Sequence, residues 1–165
     1  LSESPEAHDL VLRHLTQRFP GALTICKAAP DNDKLGADYW IEFPHGQHRA
    51  IDVKVRRQDW GVNGKPDIAL EVWSNVEQQT PGWALDANKL TDYLLCVWLD
   101  TGRANLFDFR LLRAVTQANL SAWQARFETA RQQTGIGSRG YTSRALFIPG
   151  RELHAAIYRW QTEAI

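Results

Sequence analysis

The sequence predicts an α/β or α+β fold, in which helices flank a mixed central β-sheet. Three observations lead to this prediction: an amphipathic helix pattern near the start, a hairpin with strand-like alternation, and a short apolar run at residues 94–99. Helical patterns lie between these strands and after them. At 165 residues the chain has the usual size of one domain, so we predict a single domain over residues 1–165.

The first predicted element is a helix that begins after Ser4. Serine is a favoured N-cap, and the proline that follows suits the first helical position. Apolar residues at helical spacing continue to Phe19, and Pro20-Gly21 then ends the helix. Residues 23–28 form an apolar run that predicts a short strand, and a polar loop over residues 30–34 follows it.

A β-hairpin is the strongest strand prediction in the chain. Its two alternating runs cover residues 39–43 and 49–55, and a Pro-His-Gly turn separates them. Because strand side chains alternate in direction, Asp52 and Lys54 share one face of the second run. Asp38 opens the first run, so we expect a second carboxylate at the same end of the hairpin.

The rest of the chain alternates between predicted strands and helices. A strand over 67–74 carries Glu71, and a short helix from Asp86 carries Lys89 and Tyr93 on one side. The apolar run at 94–99 predicts a central strand that is buried on both faces. The later predictions are a strand over 104–107, helices over 108–117 and 121–133, a strand over 146–148 and a helix over 152–160.

Charge is balanced over the whole chain but divided unevenly along it. Residues 1–100 carry 10 Lys and Arg against 15 Asp and Glu, whereas residues 101–165 carry 9 Arg against 4 acids. A metal-dependent enzyme that acts on a polyanion needs acidic residues to hold the metal ion and basic residues to hold phosphates. Solvated surfaces with an uneven charge would give the same division. Because Cys26 and Cys96 each lie in apolar runs, we expect buried free thiols and a cytoplasmic location.

The spacing of Asp38 and Asp52-Val53-Lys54 resembles the motif of the PD-(D/E)XK nuclease superfamily. In that family the first acid opens the second core strand, and the acid-x-lysine triplet lies on the third. Ala37 stands here where the family often has proline. The leading helix and the loop before Asp38 are also similar to archaeal Holliday-junction resolvases, a likeness that covers about the first 57 residues.

This resemblance implies a restriction-endonuclease-like core and a metal-dependent nuclease. By the family's pattern, Asp38, Asp52 and the Val53 carbonyl are ligands of Mg²⁺ or Mn²⁺, and Lys54 orients the attacking water. Glu71 is a possible extra ligand if its strand adjoins the hairpin. An alternative register makes Asp52 the first acid and Glu71-Val72-Trp73 the second motif, which leaves the lysine to come from elsewhere.

The partner implied by the resemblance is nucleic acid, with DNA favoured over RNA. The residues that we expect to contact it are Arg56, Arg57, Lys89, Tyr93 and Arg139. No membrane partner is expected, because no apolar run approaches the length of a membrane helix. A homodimer would suit cutting of a two-fold symmetric substrate. The alternative function is a catalytically idle module of the same fold that binds nucleic acid or a protein.

Overall fold

The protein has an α+β fold with three helices and two β-sheets in the residues that the structure describes. The computed structural model describes residues 4–134 and 140–163. Two compact units alternate along the chain: the first comprises Leu1–Asp59 and Asn88–Arg110, and the second comprises Trp60–Ala87 and Leu111–Ile165. The predicted fold class is confirmed, whereas the single domain stays a prediction.

The helices and strands follow one another in an order close to the predicted one. They are α1 (Pro5–Arg18), β1 (Thr24–Lys27), β2 (Tyr39–Glu42), β3 (His48–Arg56), β4 (Ile68–Asn75), β5 (Thr80–Pro81), β6 (Tyr93–Trp98), β7 (Ala104–Asp108), α2 (Phe109–Arg126), β8 (Thr129–Thr134), β9 (Tyr141–Ile148) and α3 (Gly150–Glu163).

Helix α1 begins where the sequence predicts. The Ser4 hydroxyl accepts a hydrogen bond from the Ala7 N–H at 3.2 Å, which satisfies one of the helix's first backbone donors. Three buried residues, Leu10, Val11 and Leu15, lie on one face of the helix at helical spacing. They belong to an apolar core shared with strands of the first sheet, so burial of this face fixes α1 against that sheet.

The sheet of the first unit has five strands in the order β1-β2-β3-β6-β7. Strands β1, β2 and β3 are antiparallel neighbours, β6 runs parallel to β3, and β7 is antiparallel to β6. Ile51, Val53 and Val55 belong to the core that includes α1. Strand alternation therefore places Asp52 and Lys54 on the opposite face of β3, as predicted.

The sheet of the second unit has four strands in the order β5-β4-β9-β8. All of its pairings are antiparallel, and the register of β4 against β9 shifts between Glu71 and Trp73. Ile68, Leu70 and their opposite partners Ile148 and Leu146 are buried. They define the apolar face of this sheet.

Two helix predictions are wrong. Residues 86–92 form turns and loop instead of a helix, and the two helices expected over 108–133 are one helix, α2, followed by strand β8. The side chain of Asn119 donates to the Val115 carbonyl at 2.8 Å, so this residue bonds within α2 and does not interrupt it. Residues 129–134 form a strand because they pair along their whole length with β9.

Two further sequence expectations concern exposure. Cys96 is buried on β6 as predicted, but Cys26 is exposed because the edge strand β1 has little cover. Within residues 4–134 and 140–163, no helix has both the length and the apolar character needed to cross a membrane.

Candidate active site

Asp38 lies directly before β2 and is held there by backbone bonds. Its N–H donates to the carbonyl of Ile51 at 2.8 Å, which ties Asp38 to the β3 residue that is paired with Tyr39. Two residues earlier, Gly36 has a φ of +80°, a backbone conformation that favours glycine. The Thr91 hydroxyl donates to the Gly36 carbonyl at 2.6 Å, so the loop before β6 supports the loop before Asp38.

Asp52 and Lys54 form an ion pair on one face of β3. The Lys54 Nζ lies 2.6 Å from the Asp52 Oδ1. The Asp52 side chain is only 6% exposed, whereas 29% of the Lys54 side chain reaches solvent. Asp52 is therefore the more deeply buried partner of the pair.

The carboxyl groups of Asp38 and Asp52 interact directly at this end of the hairpin. Burial raises the pKa of Asp38 from 3.8 to about 6, and the charge of Asp52 and a side-chain hydrogen bond with it act in the same direction. The Val53 N–H donates to the Asp38 Oδ2 at 2.7 Å and opposes this rise, as does Lys54. The Asp38 carboxyl group therefore keeps its proton to a higher pH than an exposed carboxyl group does.

The donor atoms at this site fit a hard divalent cation. Asp38 and Asp52 supply two carboxylates, and an ion of opposite charge would offset both the burial and, to a smaller extent, the charge of Asp52 that raise the pKa of Asp38. The Val53 carbonyl points to the same strand edge as the Val53 N–H, since both groups of a strand residue face one neighbour. These are the ligand types that Mg²⁺ prefers.

Within the part of the chain that the structure describes, no third acidic or imidazole ligand joins Asp38 and Asp52. Among the described residues, no group of three or more His, Cys, Asp and Glu side chains is placed to hold a metal ion. Magnesium commonly uses one or two carboxylates and completes its shell with water and substrate phosphates. The two-carboxylate arrangement is compatible with that mode of binding.

Comparisons with protein-family models, curated proteins and solved structures found no match.

Glu71 does not lie on a strand next to the hairpin, which corrects the expectation from the sequence. It lies on β4, and β4 belongs to the four-stranded sheet, whereas the neighbours of β3 are β2 and β6. Glu71 instead lies beside Gly82, and its carbonyl accepts from the Ala84 N–H at 3.1 Å. The expected position of Glu71 on a strand adjoining the hairpin is therefore wrong, while the alternative register and a metal-binding role for Glu71 stay predictions.

The residues expected to contact nucleic acid differ in their exposure and in the elements that carry them. Arg56 and Arg57 are exposed at the end of β3. Lys89 lies in a loop against Gly36, and the Tyr93 ring packs edge-on to Phe19 at a centroid distance of 5.4 Å. Tyr93 thus packs on the α1 side of the sheet, and the helix that was predicted to carry Lys89 and Tyr93 on one side does not form. Arg139 lies outside the described residues.

Sequence reasoning did not find the residues that hold the hairpin end in place. Thr91 supports the Gly36 loop, and the Asp92 carboxylate accepts from the Ala50 N–H at 2.8 Å. Gly36, two residues before Asp38, was the one available sequence signal for the contact with Thr91. Nothing local indicated the bond between Ala50 and Asp92, because these residues are distant in sequence.

Proposed function

We propose that this protein is a Mg²⁺-dependent nuclease that hydrolyses phosphodiester bonds of DNA. The observation that carries the proposal is the joint placement of Asp38, Asp52 and Lys54. The Asp38 carboxylate accepts from the N–H of Val53, the residue between the other two, at 2.7 Å, and the Lys54 Nζ lies 2.6 Å from Asp52. The order of elements through β3, a helix followed by three antiparallel strands, supports it.

Each side chain has a separate task in this proposal. Asp38 and Asp52 hold the cation, which when bound neutralises the charge of the phosphodiester and favours ionisation of water. Lys54 holds the Asp52 carboxylate in position through their ion pair. An ammonium group has three donors, so Lys54 can also orient the attacking water or a phosphate oxygen.

The test is cleavage of plasmid and linear DNA by the purified chain in the presence of Mg²⁺. We expect Asp52→Ala to abolish cleavage, whereas Asp9→Asn, which removes one exposed acid from α1, leaves it unchanged. EDTA should stop the reaction of the wild-type protein. Cleavage by Asp52→Ala at the wild-type rate would refute the assignment.

The second candidate function is the catalytically idle module that binds nucleic acid or a protein. It is favoured by the close ion pair of Asp52 with Lys54 and by the lack, within the described residues, of a larger group of metal-ligating side chains. Binding of DNA that is unaffected by Mg²⁺, without cleavage by the wild-type protein, would support this candidate over the nuclease.

The DNA partner, the homodimer and the cytoplasmic location belong to the proposal as well. The free thiols of Cys26 and Cys96 support a reducing compartment. Size-exclusion chromatography with light scattering distinguishes monomer from dimer directly.

A further inference from the structure

The sheet of the second unit places two arginines directly opposite each other. In the antiparallel pair of β8 and β9, Arg131 lies across from Arg144. Like charges at opposite positions of a sheet destabilise it, whereas opposite charges at such positions stabilise it. This pair therefore carries a cost in the isolated protein that an anion bound between the two guanidinium groups would remove.

The strand register brings these two side chains close together. The Phe147 N–H donates to the Glu128 carbonyl at 3.0 Å, which makes that pair of residues a hydrogen-bonded one. Hydrogen-bonded and non-hydrogen-bonded pairs alternate along an antiparallel ladder, so Arg131 and Arg144 form a pair of the second kind. Side chains approach each other more closely at such pairs.

Arg144 also has a donor that none of the described residues satisfies. Its Nε is shielded from solvent and has no hydrogen-bond partner within residues 4–134 and 140–163. A buried donor without an acceptor is costly, and a turn of the Arg144 guanidinium group toward a bound oxyanion would remove that cost. Arginine suits such a ligand because it binds planar or tetrahedral oxyanions through two parallel hydrogen bonds. A phosphate group supplies such oxygens.

The neighbouring groups leave the pair with little internal compensation. Trp73 lies opposite Arg144 on the β4 side. Glu77 is the acid that Arg131 influences, but its carboxylate accepts the Thr142 N–H at 3.0 Å. The pKa of Glu77 is lowered first by its hydrogen bonds with Thr142 and only weakly by Arg131. Glu77 is thus already engaged at the edge of the site.

We propose that Arg131 and Arg144 bind a phosphate of the DNA backbone on the four-stranded sheet. The inference rests on the proposed function for its choice of ligand, because an enzyme that cleaves DNA needs contacts that fix the position of the strand. Phosphate contacts of this kind are independent of base sequence and sensitive to salt.

The test measures binding of a fluorescein-labelled DNA duplex by anisotropy, in EDTA and over a range of NaCl concentrations. We expect Arg131→Gln and Arg144→Gln each to weaken binding about tenfold and to lower the slope of log K against log salt by about one. The matched control is Arg159→Gln, which removes the same charge from an exposed position on α3 and should change neither quantity. Unchanged affinity and slope in both site variants would overturn the proposal.

Urea unfolding of the same variants distinguishes a binding site from a structural pair. Because Arg131 is exposed and opposes a like charge, we expect Arg131→Gln to be at least as stable as the wild type while it loses DNA affinity. If Arg131→Gln lost both DNA affinity and free energy of unfolding, the result would count against a binding site at this pair. If inorganic phosphate binds to the pair and DNA does not, the assignment to DNA is wrong.

The binding assay also separates this inference from the proposed catalytic function. It contains no metal and measures no cleavage, so a wild-type protein that binds DNA through these arginines without cutting it refutes the nuclease and retains the site. A protein that cuts DNA with unaltered binding in both variants retains the nuclease and refutes the site.

Discussion

At the scale of single residues, the contact between Asp38 and Asp52 sets the electrostatics of the hairpin. Two carboxyl groups share a poorly solvated position, and Lys54 compensates one of them directly. The sequence could predict that Asp52 and Lys54 share a face, because alternation depends only on neighbouring residues. It could not predict that the Val53 N–H binds Asp38, since that bond depends on strand register.

The raised pKa of Asp38 predicts a particular dependence of stability on pH. Between pH 3.8 and about 6 the folded protein binds more protons than the unfolded chain, so its stability falls as pH rises through that window. Asp38→Asn removes this titration and keeps an oxygen for the Val53 N–H. We expect the variant to gain about 1 kcal/mol in free energy of unfolding at about pH 8, after allowance for solvent screening, and nothing below about pH 4.

Urea unfolding at several pH values measures this difference. Glu42→Gln is the control, because it removes an exposed carboxylate from β2. An equal gain in both variants, or a gain of Asp38→Asn that does not depend on pH, would contradict the prediction.

The ion pair of Lys54 predicts a cost when only one partner is removed. Lys54→Met leaves the buried Asp52 carboxylate near Asp38 without the ammonium group that pairs with it. We expect a loss of about 2 kcal/mol in free energy of unfolding. The double variant Asp52→Asn/Lys54→Met should recover most of this loss, because it removes the buried charge as well. Chemical denaturation of the wild type, Asp52→Asn, Lys54→Met and the double variant gives the coupling energy between the two side chains. A double variant that is less stable than Lys54→Met would contradict this prediction.

At the scale of elements, the loop before β2 determines where Asp38 lies. Gly36 combines a positive φ with a tight contact, since an added Cβ would lie 2.5 Å from the Thr91 Oγ1. Glycine is therefore required there for two separate reasons. The polar loop at this position was predictable from sequence, but its support by Thr91 was not, because the two residues are far apart in the chain.

Three glycine-to-alanine variants separate the two reasons. Gly21 has open space and no positive φ, Gly46 has open space and a φ of +72°, and Gly36 has both constraints. We expect Gly21→Ala to change stability little, Gly46→Ala to cost about 1 kcal/mol and Gly36→Ala to cost about 3 kcal/mol. Thermal unfolding checks this order, and equal losses for Gly36→Ala and Gly46→Ala would show that the Thr91 contact is unimportant.

At the scale of the whole molecule, elements with strong local signals were predicted and their assembly was not. Helix α1 has its cap in the sequence, the β2–β3 hairpin has its turn, and β6 has an apolar run buried on both faces. Strand β8 was mistaken for a helix because apolar spacing continues into it from α2, and pairing with β9 overrides that pattern. Glu71 was misplaced because alternation does not reveal which strands are neighbours.

Cation binding predicts a change in the stability of the whole protein. A ligand that binds only the folded state stabilises it, and Mg²⁺ at ten times its Kd would add about 1.4 kcal/mol, or roughly 3 to 5 °C in Tm. We expect Mg²⁺ to raise the Tm of the wild type and of Asp9→Asn, and EDTA to remove this increase. The Tm of Asp52→Asn should not change on addition of Mg²⁺. Scanning calorimetry measures it, and an equal increase in Asp52→Asn would place the ion elsewhere.

The most direct test of the central claim is a crystal structure of the protein soaked in Mn²⁺, recorded with anomalous scattering. We expect an anomalous peak contacted by the carboxylates of both Asp38 and Asp52, since these two groups supply the negative charge of the site. A map without a peak at this position, in which Lys54 remains paired with Asp52, would contradict it.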